Sequence, residues 1–259
     1  MFEFGKNWRA FSQAALDRNT VQTAQESVSG LLGRPDLAGL SFLHVGSGSG
    51  LFSIAAARLG AGPVTGLDID PECVETARAN SNRFPGPGAA PQFLQMSVLD
   101  EQANKTLAPA DIVYAWGSLH HTGSMHQAMA NAAGLVKPGG ALVLAIYNRH
   151  WSSPAWSLIK KTYNVSPRLI KLLMIYLFTG VLFTAKALVT RRNLLRQQRG
   201  MYFFYDVINW VGGYPYEYAT TKEITRYIEG LGFRTVRTVA PQVPTGCNEF
   251  VSQKTGGAA

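Results

Sequence analysis

Hydrophobic and polar positions follow two rhythms along this chain. Around QTAQESVSGLLG, helical spacing brings Val21, Ala24, Val28, Leu31 and Leu32 toward one face, and Gly33 with Pro35 stops the run. The first forty residues read as helical. SFLHVG is a short apolar run ending at glycine, the length and flanks of a buried parallel strand. LFSIAAARLG returns to helical spacing and stops at Gly60. PVTGLDID predicts a second strand, and PECVETARANSNRF a second helix with Pro71 in its first turn. PGPGAAP, at 85–91, reads as a loop. QFLQMSVLD, ADIVYAWGSL and GALVLAIYN predict three more strands, with a helix from Met125 to Leu135 and a KPGG turn before the last.

Past Asn148 the rhythm stops for about seventy residues, far longer than an ordinary connection. It resumes at Thr220, where TTKEITRYIEGLG has a threonine start and a glycine stop. FRTVRTVAP and EFVSQK then predict the closing strands. Strand and helix in alternation mean an α/β fold, a doubly wound parallel sheet. We therefore divide the chain into a core of residues 1–148 and 220–259 and an insertion of residues 149–219.

Composition narrows the picture. The 259 residues are 46% hydrophobic and 15% charged, enough to bury a full core, with a formal net charge of +8. That excess favours anionic partners. Neither Cys73 nor Cys247 sits in a metal-ligand spacing, so no metal site and no disulfide framework are expected. The start, MFEFGKNWRAF, has no basic-then-apolar run, and a cytoplasmic location is the expectation.

Candidate chemistry begins at His44-Val45-Gly46-Ser47-Gly48-Ser49-Gly50, between the first strand and its helix. Glycines there permit a tight turn and let a ligand press against backbone at a helix N-terminus. A dinucleotide fingerprint needs glycine or alanine where Leu51 stands, so the spacing disfavours NAD. Asp68 closes the second strand, where a carboxylate can accept both hydroxyls of a ribose. Asp70 is left to cap the helix that begins at Pro71. Asp100, past the third strand, is placed to meet an adenine amino group, or else is an exposed turn residue.

LHVGSGSG, VTGLDID, SVLD, DIVYAWGSLHHT and LVKPGGALVLAIYN occur in an order and spacing that resemble class I S-adenosylmethionine-dependent methyltransferases. The likeness is greatest to the ubiquinone/menaquinone-type small-molecule enzymes and covers about residues 40–148, more weakly 220–254. It implies a Rossmann-like seven-stranded sheet with an antiparallel last strand and a helical lid after the fifth strand. It also implies S-adenosyl-L-methionine as cofactor. The glycine loop (Gly46, Ser47, Gly48, Gly50) would hold the methionine part, Asp68 with Ile69 the ribose region, and Ser97, Val98, Leu99 and Asp100 the adenine. Trp116 joins this set. His44 departs from the family, which has an acidic residue there to hold the methionine ammonium. It implies weaker binding, a substitute carboxylate, or a packing role.

Methyl transfer to a protonated nucleophile needs a base. His120 and His121 follow the fourth strand at the ligand edge of the sheet and are the candidates; the competing reading is that they shape the pocket. Aromatic residues and a few polar ones supply the acceptor candidates Tyr205, Asp206, Tyr214, Tyr216 and Glu217. Asn248 and Glu249 join them, because an antiparallel last strand starts at the ligand edge.

The insertion leaves the sheet at that edge and should lie over the acceptor. No Asp or Glu occurs between Asp111 and Asp206, whereas Arg149, Lys160, Lys161, Arg168, Lys171, Lys186, Arg191, Arg192, Arg196 and Arg199 do. Between Lys171 and Lys186 fourteen uncharged residues would span roughly 21 Å as a helix, short of the ~30 Å hydrocarbon core. Residues 169–189 are read as a buried lid or homodimer helix, an interfacial membrane helix, or a true span, in that order. The expected acceptor is a small or lipid-like molecule methylated on oxygen or nitrogen. Rival readings are peptide or protein methylation, nucleic-acid methylation, and a non-catalytic cofactor-binding module at a membrane. The fourth strand ends in DIVYAW, without the Asn/Asp-Pro-Pro-aromatic run of amino-methylating DNA enzymes, which disfavours nucleic acid.

Overall fold

The protein is described by a computed structural model covering residues 2–190 and 202–256, with the side chains of 185–190 excepted. Arg191, Arg192, Arg196 and Arg199 lie outside the described residues, as does the side chain of Lys186.

The N-terminal region is helical, as two helices, α1 (Phe4–Ala14) and α2 (Arg18–Leu32). Asp17 starts α2 by accepting the Thr20 N–H, and Gly33, at φ 67°, ends it. Strands and helices then alternate: β1 (Phe42–Val45), α3 (Leu51–Arg58), β2 (Val64–Asp68), α4 (Pro71–Arg83), β3 (Gln92–Gln95), α5 (Glu101–Asn104), β4 (Ala110–Trp116), α6 (Met125–Gly134) and β5 (Val136–Tyr147). A single 3-10 turn, Leu119–His121, follows β4. The helices α7 (Ser153–Val165), α8 (Arg168–Thr190) and α9 (Phe203–Gly212) come next, then α10 (Thr221–Gly230), β6 (Phe233–Val239) and β7 (Cys247–Lys254).

The seven strands form one sheet in the order β3-β2-β1-β4-β5-β7-β6, with β7 antiparallel to both neighbours. Chain direction across the sheet reverses between β1 and β4, which opens a crevice at their carboxyl ends. Alternation along each strand sorts the core into two layers. Leu43, Val45, Val113 and Ala115 face α6 and α10, where Met129, Ile224 and Ile228 are buried. Phe42, Ile112 and Tyr114 face the layer of α2 and α3, where Val28, Ile54 and Phe11 of α1 are buried.

Two local expectations need correction. KPGG is not a free turn: it lies inside β5, where the pairing with β4 shifts register between Ala110 and Ile112 and Gly139 takes φ 74°. QFLQMSVLD is strand only to Gln95; the rest bends toward the short α5, which the hydrophobic pattern did not reveal. Among the described residues, no helix is long and apolar enough to cross a membrane; the side chains of 185–189, the end of the 169–189 segment, lie outside them.

Phe11 is fully buried against the α2–α3 layer, which makes α1 part of the core and not a loose arm. Phe11→Ala should therefore cost about 3–5 kcal/mol of unfolding free energy in chemical denaturation. A loss under about 1 kcal/mol would show that α1 docks without contributing to the core.

Candidate functional site

At the crevice, one cavity of about 800 Å³ runs from the glycine loop to the helices after β5. That is the upper part of the range for small-molecule sites. Its walls are largely apolar.

The loop after β1 is shaped by Gly46, Gly48 and Gly50, all at positive φ. A β-carbon on Gly48 would sit 2.9 Å from the Trp8 ring nitrogen, so only glycine lets the loop lie under that indole. Gly50 serves packing instead: its β-carbon would meet that of Ala77 at 2.8 Å, and it does not line the cavity.

Asp68 ends β2 beside this loop. Gly48 N–H donates to its Oδ2 at 2.8 Å, and Asp70 N–H donates to Oδ1 at 3.0 Å. Burial pushes the carboxyl upward, opposed by those two N–H groups. Asp70 does cap α4, accepting from Glu72 N–H at 2.9 Å, and it also accepts from Gly5 N–H at 2.9 Å. A carboxylate expected only to cap thus ties α1 to the ligand edge.

His44, Gly46, Ser47, Gly48, Asp68, Ile69, Val98, Leu99 and Trp116 all line the cavity. Asp100 does not. Its Oδ1 accepts from Gln102 N–H and Ala103 N–H, which makes it the cap of α5. His44 is packed edge-on against Tyr114 and Phe52, with Nδ1 3.0 Å from Ser53 Oγ. Burial holds it down at about 3, so it is neutral at pH 7. Carboxylates of Glu3, Asp70 and Asp206 line the same cavity, with Glu3 paired to Lys6 at 2.8 Å.

Both histidines after β4 reach the cavity. A carbonyl can only accept, so the 2.7 Å contact between His121 Nδ1 and the Pro215 oxygen places the proton on Nδ1 and leaves Nε2 as an acceptor. His120 is 1% exposed, hydrogen-bonded to the Ala145 carbonyl, and its Nδ1 is sealed without a protein partner. Burial is the main cause lowering both: His121, with the charge of Lys160 next, to about 3, and His120, with the charges of His121 and then Lys160 next, well below the ordinary value.

Lys160, one of the basic residues of the insertion, lies in the interior. It is fully buried, donates to the Trp210 carbonyl, and lies over the rings of Trp210, Tyr216 and Tyr147 at 4.7, 4.7 and 5.4 Å. Burial lowers it to about 7.

Of the acceptor candidates, only Asp206 lines the cavity. Tyr205 packs edge-on against Phe11, and Tyr216 is buried between Tyr147 and Tyr218. Glu217 accepts from Met125 N–H at the start of α6. Asn248 is spent on Thr221 and Asn148, while Glu249 is buried within β7. Tyr214 also stays off the wall. The strand-edge argument reached one residue too far, since Cys247, with Val243, Pro244 and Thr245 before it, forms that wall.

Sequence reasoning missed α1. Phe2, Glu3, Phe4 and Trp8 line the cavity, and Asn7 donates to the Tyr205 carbonyl and to Asn209 Oδ1, clamping α1 to α9. The recurrence of Phe4, Trp8 and Phe11 on one helical face was the available signal.

A cofactor with an adenosyl group fits these walls on the structure's own evidence. Ser47 Oγ is buried in the lining with no protein partner, Asp68 offers the carboxylate, and Ile69, Met96, Val98 and Leu99 make an apolar slot.

The model of a methyltransferase domain family matches residues 14–196. The chain is 35% identical over 130 residues to a ubiquinone biosynthesis O-methyltransferase of Xanthomonas euvesicatoria pv. vesicatoria, covering 50% of this chain and 52% of that one. It is 37% identical over 115 residues to a ribosomal-protein methyltransferase of Deinococcus radiodurans, covering 44% and 40%. The chain thus spans about half or less of the curated relatives it matches. Among solved structures, magnesium protoporphyrin IX methyltransferase from Synechocystis PCC 6803 superposes with a TM-score of 0.60 at 17% identity, covering 96% of this chain and 94% of that one.

Two buried histidines, His44 and His120, and the half-buried His121, all lowered by desolvation, make stability depend on acid. Unfolded histidine titrates near 6.5, so below that value the unfolded chain binds more protons than the folded one. Stability should fall as pH drops from about 6.5 toward 3, by at most about 1.4 kcal/mol per pH unit per histidine. Denaturation midpoints measured across this window check it. His44→Phe, which keeps the ring packing, should make the decline shallower; an unchanged slope would mean His44 is not buried neutral.

Proposed function

Since the chain belongs to the methyltransferase domain family, we propose that it moves a methyl group from S-adenosyl-L-methionine to an oxygen or nitrogen of a small or lipid-like acceptor. The observation that carries this is the single cavity holding, side by side, the glycine loop, the Asp68 carboxylate and the two neutral histidines.

When bound, S-adenosyl-L-methionine supplies a methyl carbon activated by its sulfonium. What remains for the chain is alignment, exclusion of water and, for a protonated nucleophile, removal of a proton. Asp68 accepts from the ribose hydroxyls through the lone pairs its backbone donors leave. The apolar slot of Ile69, Val98 and Leu99 takes the adenine. Glu3 and Asp206 stand in for the missing carboxylate at position 44.

Of the two histidines, His121 is the base. Its tautomer is set by Pro215, and its free Nε2 lone pair is uncharged at pH 7 because burial keeps it so. His120 positions it, ring against ring at 4.5 Å. Residues 149–219 act as a lid on a core of 1–148 and 220–259: Leu182 of α8 and Phe203, Asp206, Val207 and Trp210 of α9 close the acceptor side. An apolar wall of this kind favours an acceptor with a substantial hydrocarbon or aromatic part. Peptide or protein methylation is the second reading, favoured by the match to the ribosomal-protein methyltransferase.

Calorimetric titration of the purified chain should give micromolar affinity for S-adenosylhomocysteine and no heat with NAD. Gly48→Val should weaken S-adenosylhomocysteine at least about tenfold, because a side chain at φ 52° strains the loop and displaces Trp8. NAD binding, or no binding of either compound, would overturn the reading.

A further inference from the structure

The helix α8 has two apolar faces. Met174, Ile175, Phe178 and Leu182 share one side and pack with α9 and Tyr163. The opposite side carries Leu169, Leu173, Tyr176 and Phe183, which are 68, 58, 67 and 39% exposed. A helix lying on a globular core and otherwise in water carries polar residues there. Among the described residues, eleven of the fourteen exposed large hydrophobic side chains fall between Trp151 and Phe183. Scattered exposed leucines need no explanation, but a concentration of this kind marks an interaction surface.

Charge identifies what covers it. From Ile112 to Tyr205 the chain contains no Asp or Glu. Lys161 and Arg168 are exposed at the corner between α7 and α8, beside the apolar face. Two copies of this chain meeting here would juxtapose cations with no counter-charge. An anionic lipid surface suits both parts, the acyl boundary for the apolar side chains and the headgroups for the lysine and arginine. Trp151, 87% exposed at the start of this region, belongs to the residue types that settle at a bilayer interface. Among the described residues no helix is long and apolar enough to cross a bilayer.

We propose that the α7–α8 face docks the protein on a lipid bilayer containing anionic headgroups, with α8 lying in the interfacial plane. Leu182, on the inner side of the same helix, lines the cavity. Docking therefore brings the acceptor site to within one helix diameter, about 10 Å, of the lipid. The inference concerns recruitment and stands on its own surface, independent of which atom is methylated.

The test is sedimentation of the full chain with vesicles of mixed phosphatidylcholine and phosphatidylglycerol, against vesicles of phosphatidylcholine alone. Binding is expected to the mixed vesicles, and to drop at least about tenfold on phosphatidylcholine alone or at about 1 M salt, where charges are screened within about 3 Å. Leu173→Glu with Leu177→Glu, both exposed on α8, should cut vesicle binding at least about tenfold. Lys161→Glu with Arg168→Glu should do so on the mixed vesicles only. Both variants should keep the wild-type melting midpoint and the wild-type affinity for S-adenosylhomocysteine, since none of the four residues lines the cavity. Failure of the wild type to bind mixed vesicles, or folded variants that bind like it, would overturn the proposal. So would a wild-type dimer, without vesicle binding, that the leucine variant converts to monomer. Cofactor affinity is read by calorimetry and docking by sedimentation, so failure of one is distinct from failure of the other.

Discussion

One carboxylate organises the ligand edge of this protein. The side chain of Asp68 takes an N–H from Gly48 in the loop after β1 and another from Asp70 at the entrance to α4. Two strand ends are thereby held at one separation, and the loop is kept open with its glycines in the left-handed region. Charge-assisted bonds of this type are about twice as strong as neutral ones. The cost is a buried anion, which shows in a carboxyl pushed upward by burial. A bound ribose would add two donors to that same carboxylate and relieve it. Loop shape and cofactor recognition are on this account a single arrangement.

Enclosure comes from elements distant in sequence. The helix α1 reaches over the glycine loop through Trp8, is pinned to α4 by the Gly5–Asp70 bond, and is clamped to α9 by Asn7. The other side is closed by α9, whose Trp210 carbonyl holds the buried Lys160. Lys160 sits among three aromatic rings, and its charge helps keep His120 and His121 neutral.

The sheet was legible because buried parallel strands are short unbroken apolar runs, and FLHV and DIVYAW are such runs. The glycine loop and Asp68 were legible because backbone geometry at a strand-to-helix turn restricts residue type. Where the reading failed, tertiary pairing decided. Asp100 follows β3 as the resemblance requires, yet a helix of four residues captures its carboxylate. Tyr216, Glu217 and Asn248 lie next to the cavity in sequence but find partners in Tyr147, Met125 and Thr221. Lys160 was one basic residue among the ten of the insertion, and burial of a lysine leaves no trace in local composition. The aromatic spacing of α1 was visible, but nothing in it pointed to the crevice.

The central claim, that Asp68 shapes the loop and grips the ribose together, is open to direct measurement by hydrogen exchange at the Gly48 amide alongside cofactor affinity in Asp68→Asn. An asparagine must turn its NH2 toward one of the two backbone donors. The account predicts that Gly48 exchange accelerates at least about tenfold while affinity for S-adenosylhomocysteine falls about 30–100-fold, the loss of a charged hydrogen bond worth about 2–3 kcal/mol. Unchanged affinity, or lost affinity with Gly48 still protected, would contradict it.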